Sequence, residues 1–385
     1  MNFTETEQQR DLRAAAAALG ARYGPEYATE RARRHEPLRE LWQEAGKLGF
    51  IGVSLPEEHG GGGGGIYELS VVQEELAAAG CGLLMLVVSP AICGTIIARF
   101  GTGDQQARWL PGIADGSRIM AFAVTEPDAG SNSHRITTTA RRDGSDWLLT
   151  GRKVYISGVD LADHVLIVSR TEDARTGTLR PALFAVPTDA PGFEARPIEM
   201  DIIMPERQFT LFLDDVRVPA QALIGAEDAA LSQLFAGLNP ERVMASALSV
   251  GGARHALAKA VAYAGQRQVF ATPIGAHQGI SHPLAQIKIE LELARLMMQK
   301  AASLYDGGDD RGAAEGAKMA KYAAAEVNVR AVDQAVQTHG GNGLAAEYGL
   351  ASMLAMSRVA RIAPVSREMI LNFVAQFSLG LPKSY

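Results

Sequence analysis

Residues 243–270 read VMASALSVGGARHALAKAVAYAGQRQVF, a helix-forming run well beyond the usual globular helix of about 11–12 residues. Two more of its kind follow: HPLAQIKIELELARLMMQKAASLYDGG (282–308) and AAEGAKMAKYAAAEVNVRAVDQAVQTHGG (313–341). Each closes on glycine. Long amphipathic helices gathered at one end of a chain pack as a bundle, often across subunits. Working backward, residues 118–224 change character. Strand-like runs bounded by turn residues appear there: IMAFAVTE (119–126), DWLLTGRKVYISG (146–158), HVLIVSRT (164–171), ALFAVPT (182–188) and QFTLFLDDVRVP (208–219). The alternation in 208–218 suits a sheet with one buried face and one wet face. Earlier still, ELWQEAGKLGF (40–50) and YELSVVQEELAAAG (67–80) return to helical periodicity. The expectation is a mostly α chain with a central β domain: helical over 1–117, β over 118–225, helical bundle over 226–385.

Composition bounds the function. At roughly 100–200 residues per domain, 385 residues make two or three domains. The 43 acidic and 37 basic residues leave a net charge of −6, which argues against holding nucleic acid by phosphate neutralisation. Two cysteines, Cys81 and Cys93, are too few for a disulfide framework or a four-ligand zinc site, and read as buried thiols in a reducing compartment. The N-terminal MNFTETEQQRDLRAAAAALG has no basic stretch leading into an apolar one, so a cytoplasmic protein is expected.

Two segments need separate readings. Residues 76–98 carry no charge over 23 positions, but Ser89-Pro90, Gly94 and Thr95 interrupt them; two core helices broken at Pro90 are expected, with no membrane span. The run Gly60 to Gly65 formally contains GxGxxG. No strand leads straight into it, and Met85 stands where the acidic residue of a dinucleotide site belongs. A flexible connector between helices is expected.

Several segments together resemble the acyl-CoA dehydrogenase family of flavoproteins. They are LGFIGVSLPEEHGGGG from Leu48, AVTEPDAGSNS from Ala123, GRKVYISG from Gly151 and DDVRVPAQALIG from Asp214. LNPERV from Leu238, QRQVFATPIGAHQG from Gln266 and QTHGGNGLAAEYG from Gln337 continue the series in family order. The resemblance implies an N-terminal helical domain, a β-barrel-like middle domain and a C-terminal four-helix bundle. It also implies bound FAD, an acyl-CoA thioester substrate and removal of hydrogens from its α and β carbons.

That chemistry sets requirements. The α-proton of a thioester is weakly acidic, so a carboxylate base and a polarised carbonyl are needed. No amino acid accepts hydride, so a cofactor must. By resemblance, Phe122, Val124 and Thr125 line the flavin ring, Tyr155 and Ser157 complete its face, and Ser131 meets pyrophosphate or substrate. Asn132 departs from the aspartate usual after that serine. The adenosine half is expected from a neighbouring subunit, through Arg267, Phe270, Gln278, Gln337 and Gly341, which implies a dimer or tetramer. An electron-transferring flavoprotein is the expected acceptor.

The base is where this sequence departs most. Aligning RIAPVSREMI through Ser366, a further flavin-site position, and Glu368 puts Pro364 where many members carry a glutamate. Proline neither takes a proton nor offers an N–H to the thioester carbonyl. A subset of the family, the isovaleryl- and long-chain-like enzymes, places its base on the first long C-terminal helix before an arginine. Glu241 stands there, with Arg242 as substrate contact or orienting partner. Without the family, Glu241 reads as an acid at a helix start, with Pro240 in the first turn. Other readings stay open: oxidation of a carrier-protein-bound aminoacyl thioester, oxygen chemistry on the same scaffold, or a catalytically silent binding protein. His59, His277, His282 and His339 lack metal-ligand spacing.

Overall fold

The computed structural model describes residues 4–172, 177–225 and 230–383. The first long helix, α1 (Glu7–Arg33), starts at a capping box in which Thr6 accepts from the Gln9 amide and Gln9 reaches back. It bends at Gly24-Pro25, where Gly24 takes φ 71°. After α2 (Arg39–Lys47) comes α3 (Ile66–Ala78). The N-terminus of α3 is capped from far along the chain: Asp306 accepts from Ile66 N at 2.8 Å and Tyr67 N at 2.9 Å.

The glycine run is not a flexible connector. Gly62, Gly63 and Gly64 donate their amides to the carbonyls of Gly52, Leu55 and Val53 at 2.9 Å each. A Cβ at Gly61 would enter the backbone of Leu55, and one at Gly65 the Asp306 carboxylate. Glycine is required there because two backbones and a cap must touch.

Nor does Pro90 break the charge-free stretch. The short helix α4 (Leu84–Leu86), a π-helical stretch (Val87–Gly94) and α5 (Thr95–Phe100) run on without interruption. The wider π turn accommodates the missing Pro90 amide. Cys81 and Cys93 are free and buried, as read from the sequence. Among the described residues no helix is long and apolar enough to cross a membrane. A last helix, α6 (Gly103–Ala114), leads into the sheet.

The sheet comprises β1 (Met120–Ala123), β2 (Thr139–Asp143), β3 (Asp146–Ser157), β4 (His164–Glu172), β5 (Leu179–Pro187), β6 (Phe193–Ile198), β7 (Gln208–Val218) and β8 (Leu223–Ile224). Its order is β6–β7–β3–β2–β4–β5–β8, with β1 parallel to β4. β7 alternates on either side of an irregularity at Asp214-Asp215: Leu211, Leu213, Val216 and Val218 are buried, while Asp214, Asp215 and Arg217 meet water. β4 is covered on both sides. Val165 and Ile167 join the sheet's own core, whereas Leu166 and Val168 join the core of the helices. This second face fixes the β domain against the helical layers.

The bundle is α7 (Ala230–Gln266), α8 (Gln278–Asp306), α9 (Asp310–His339), α10 (Ala351–Ile362) and α11 (Arg367–Phe373). Alanine and valine fill its centre, among them Ala253, Ala260, Ala324, Val327 and Ala331. α7 starts before the position expected from Pro240, which therefore lies inside the helix. Glu241 is not a helix-start acid. Pro240 has no amide to give the carbonyl four residues back, at Ala236. That carbonyl instead accepts the Tyr305 hydroxyl at 3.0 Å, which lets the helix continue.

Candidate active site

One face of α7 carries Leu234, Leu238 and Glu241, at helical spacings of four and three. Leu234 and Leu238 line a cavity of about 240 Å³ whose opposite wall holds Val124, Ile136 and Val168 from the sheet side. Ser133, His134 and Arg170 add polar groups to that wall. Glu241 follows one turn along α7 from Leu238 and does not itself line this cavity. Its surface is only half-buried, so solvent reaches it, yet its surroundings are packed protein.

Burial pushes the Glu241 carboxyl up to about 7, against the charges of Arg242 and Lys321, which oppose the rise. Among the described residues its carboxylate has no hydrogen-bond or ion-pair partner. Arg242 is buried beside it and donates through Nη1 to Leu238 O at 3.0 Å and Asn239 Oδ1 at 3.2 Å. Its Nε is buried with no partner among the described residues. Lys321, buried on α9, donates to Val365 O. Burial pulls its ammonium down to about 8, and the Glu241 charge opposes this. Lys321 therefore ties the loop holding Pro364 and Ser366 to the surroundings of Glu241. Ser366 itself caps α11, accepting from Met369 N at 3.3 Å.

The sheet-side residues expected at a flavin gather on two adjacent segments. Phe122 is a buried residue near the end of β1, Val124 and Thr125 follow the strand half-buried, and Ser131 is exposed on the turn beyond. Tyr155 sits at a bulge of β3 with φ 57° and is 60% exposed. Ser157 donates to Gln208 Oε1 at 3.0 Å. A non-glycine residue in left-handed backbone costs energy and is retained where surrounding contacts demand it.

The remaining expected residues lie elsewhere. About 39 Å along α7 separates Glu241 from Arg267. Phe270, with φ 52°, is 91% exposed on the hairpin after α7, and Gln278 is exposed at the start of α8. Gln337 and Gly341, both exposed, occupy the same end of the bundle. His339 stacks on Tyr263 there, with ring centroids 4.2 Å apart. A side chain built at Gly340 or Gly341 would meet nothing within 4 Å, so the backbone there is open to close approach. One chain thus presents two separate clusters, one at the cavity and one at the far end of the bundle.

The sequence reading missed four residues. Arg170 and His134 join through a hydrogen bond from the Arg170 guanidinium to the His134 carbonyl, and the Arg170 Nε is buried without a partner among the described residues. Nothing in HVLIVSRT marks this arginine. Lys321 gives no signal either, being one lysine in an alanine-rich helix. Lys153 had one: consecutive Arg152 and Lys153 in a strand must point to opposite faces, so one of them goes inward. Among the described residues no group of three or more His, Cys, Asp or Glu is arranged to hold a metal ion.

Models of three domains match the chain: acyl-CoA dehydrogenase, N-terminal domain over residues 6–117, middle domain over 121–216 and C-terminal domain over 231–379. Acyl-CoA dehydrogenase FadE12 of Mycobacterium tuberculosis (strain ATCC 25618 / H37Rv) is 68% identical over 384 residues, covering 100% of this chain and 99% of the relative. The structure of a glutaryl-coenzyme A dehydrogenase glutaryl-CoA complex superposes with a TM-score of 0.93 at 28% identity, covering 100% of this chain and 98% of that one. A glutaryl-CoA dehydrogenase from Mycobacterium smegmatis in complex with FADH2 gives a TM-score of 0.90 at 28% identity, with 99% and 96% covered.

Proposed function

The chain belongs to the acyl-CoA dehydrogenase family and is an FAD-dependent acyl-CoA dehydrogenase; we propose that Glu241 is its base, acting in the cavity between α7 and the sheet. The observation that carries this assignment is the position of Glu241. It stands on the same face of α7 as Leu234 and Leu238, one turn along from Leu238, which lines a cavity together with Val124, and its carboxyl is raised to about 7. A base at that value is ionised enough at neutral pH to act and basic enough to take a proton.

The residues present suit FAD. Val124, Thr125, Tyr155 and Ser157 offer an exposed aromatic ring and hydroxyls beside the cavity, where the ring system would lie along Phe122. Arg267, Phe270, Gln278, Gln337 and Gly341 of a second copy would hold the adenosine half, since they are exposed and distant from Glu241 in their own chain. Ser131 and Ser366 would add contacts at the edges. When bound, FAD supplies the acceptor for the substrate's β-hydrogen as hydride.

The chain's own residues do the rest. Leu234, Leu238 and Val168 exclude water from the thioester arm, which strengthens charge interactions inside. Glu241 removes the α-proton to its carboxylate oxygen and later returns it to solvent. Arg242, fixed by Leu238 and Asn239, keeps a positive charge against Glu241 and faces the thioester end. Arg170 and His134 line the cavity where the anionic arm of coenzyme A would enter. Pro364 offers no N–H, so carbonyl polarisation falls to other donors.

We propose a homo-oligomer, supported by the division of the candidate flavin residues and by an exposed apolar stripe on α8: Ile289 and Leu293 are each 63% exposed, and Leu296 continues the row. An electron-transferring flavoprotein is the proposed acceptor, and the cytoplasm the proposed location. The test is anaerobic mixing of the FAD-loaded protein with a panel of acyl-CoAs, short, long, branched and aromatic. Bleaching of the flavin colour by at least one supports the reading; a flavin that none reduces, in protein that binds them, overturns it.

A further inference from the structure

Behind Val124 lies a buried ion pair that the reaction does not use directly. Lys153 has no exposed surface and Glu126 is 4% exposed. The Lys153 ammonium donates to Glu126 Oε1 at 2.9 Å and to the Val124 carbonyl at 3.1 Å. Glu126 accepts four further hydrogen bonds. Its Oε1 takes Thr138 N at 2.9 Å and Thr138 Oγ1 at 2.6 Å, and its Oε2 takes Thr137 N at 2.6 Å and Thr137 Oγ1 at 2.8 Å. Burial alone would raise this carboxyl, but the Thr138 hydrogen bond and the Lys153 charge bring it down to about 2. Burial pulls the Lys153 ammonium down to about 8, with the Glu126 charge opposing the fall, so an ammonium faces a carboxylate at neutral pH.

The backbone geometry around the pair is unusual in a way the pair explains. Successive carbonyls of a regular strand point to opposite sides. Here those of Val124 and Thr125 are both drawn to β3, the first by Lys153 Nζ and the second by Val154 N at 3.0 Å. Val154 is free for this because β3 bulges: Lys153 pairs with Leu211 and Ile156 with Phe209, which leaves one extra residue on β3. Tyr155 takes its left-handed backbone inside that same bulge. One ammonium thus sits at the junction of the two segments, Val124–Thr125 and Tyr155–Ser157.

Stability does not account for it. Two charges taken out of water lose several kcal/mol of solvation each in general, and an apolar pair of equal volume often does as well or better. We infer that Lys153 is a positioning residue of the flavin site. Its ammonium locks the Val124–Thr125 and Tyr155–Ser157 segments in register and would set a positive charge behind the Val124 carbonyl for a ring bound against that segment. The inference rests on reading those segments as the flavin face. A positive charge behind the ring favours negative charge on it and so raises its reduction potential.

The test is the double variant K153M/E126Q, which removes both charges and leaves no buried ion unpaired. Its apoprotein is expected to unfold within a few degrees of wild type. Its FAD dissociation constant should rise at least tenfold, and the reduction potential of its bound flavin should fall. An FAD affinity within twofold of wild type together with an unchanged potential overturns the inference. If that variant does not fold, K153Q, which keeps a neutral donor opposite Glu126, carries the test: a lowered potential supports the inference and a wild-type potential sinks it. Wild-type protein is the control for the underlying reading. If it takes up no FAD, the flavin face itself is wrong; if it does and the variants match it, only the role of Lys153 is wrong.

Discussion

The hydroxyl of Tyr305 on α8 donates to the carbonyl of Ala236 on α7 at 3.0 Å, filling the place of the amide that Pro240 lacks. Arg99 supports it from α5, donating through Nη1 to the Tyr305 oxygen at 3.1 Å. This contact from a neighbouring helix lets α7 run unbroken through Pro240, and so presents Glu241 from the interior of a helix rather than from its frayed first turn.

Removing that hydroxyl in Tyr305→Phe leaves the Ala236 carbonyl without a protein donor. A loss of about 1–2 kcal/mol is expected, read as a lower thermal midpoint. Because Glu241 stands one residue past Pro240, KM for acyl-CoA should also rise, while the flavin spectrum stays unchanged. A variant with wild-type stability and KM would show that α7 crosses Pro240 without this support.

Glu241 should govern two pH profiles of opposite sense. As a base it works ionised, so kcat/KM rises through about pH 7 and levels off above. For stability, burial holds the folded carboxyl at about 7, above the ordinary range of a glutamate, so the folded state holds the proton more tightly. Stability is therefore full below the unfolded value and declines as pH rises through this window, by at most roughly 3 kcal/mol. Glu241→Gln abolishes that decline. It should match wild type near pH 4.5 and exceed it at pH 8 in thermal unfolding, with Arg242 and Lys321, the charges facing Glu241, left in place.

Cutting the oligomer should cost flavin without touching it. Leu293→Asp on the exposed α8 stripe is expected to give monomers in sedimentation. FAD affinity should drop at least tenfold, because Arg267 and Phe270 of a second copy leave the site. Monomers that retain wild-type FAD affinity would mean that one chain holds the whole cofactor.

The glycine run answers to packing alone. Gly65→Ala drives a methyl into the Asp306 carboxylate that caps α3. It should destabilise the fold by about 1–3 kcal/mol and leave FAD affinity of the folded fraction at the wild-type value. Selective loss of FAD binding would instead revive a nucleotide role for GxGxxG.

These cases separate what periodicity carries from what it cannot. The long helices, the alternation of β7 and the buried cysteines were legible because each is a local pattern of apolar and polar residues. Pro240 was read as a helix start because proline most often sits there; the donor that overrides the rule, Tyr305, is remote in sequence and near only in the fold. Gly60 to Gly65 looked flexible for the same reason, since its partners Val53, Leu55 and Asp306 make it rigid. Pro90 stays within a helical run because a π turn absorbs it. Glu241 stood out only through resemblance, and Arg170 at the cavity and Lys321 near Glu241 gave no sign, for a single charged side chain in an apolar run says nothing about what it will face in the fold. The two groups of candidate flavin residues were assigned to different subunits by resemblance alone; that they lie at separate places in one chain is a fact of three dimensions.

Whether Glu241 takes the α-proton is read out by anaerobic stopped-flow reduction of FAD-loaded Glu241→Gln with an acyl-CoA that bleaches the wild type. The variant is expected to keep its flavin colour and bind the thioester, but to be reduced about 10²–10⁴-fold more slowly or not at all. Reduction at the wild-type rate would contradict the role of Glu241 as base.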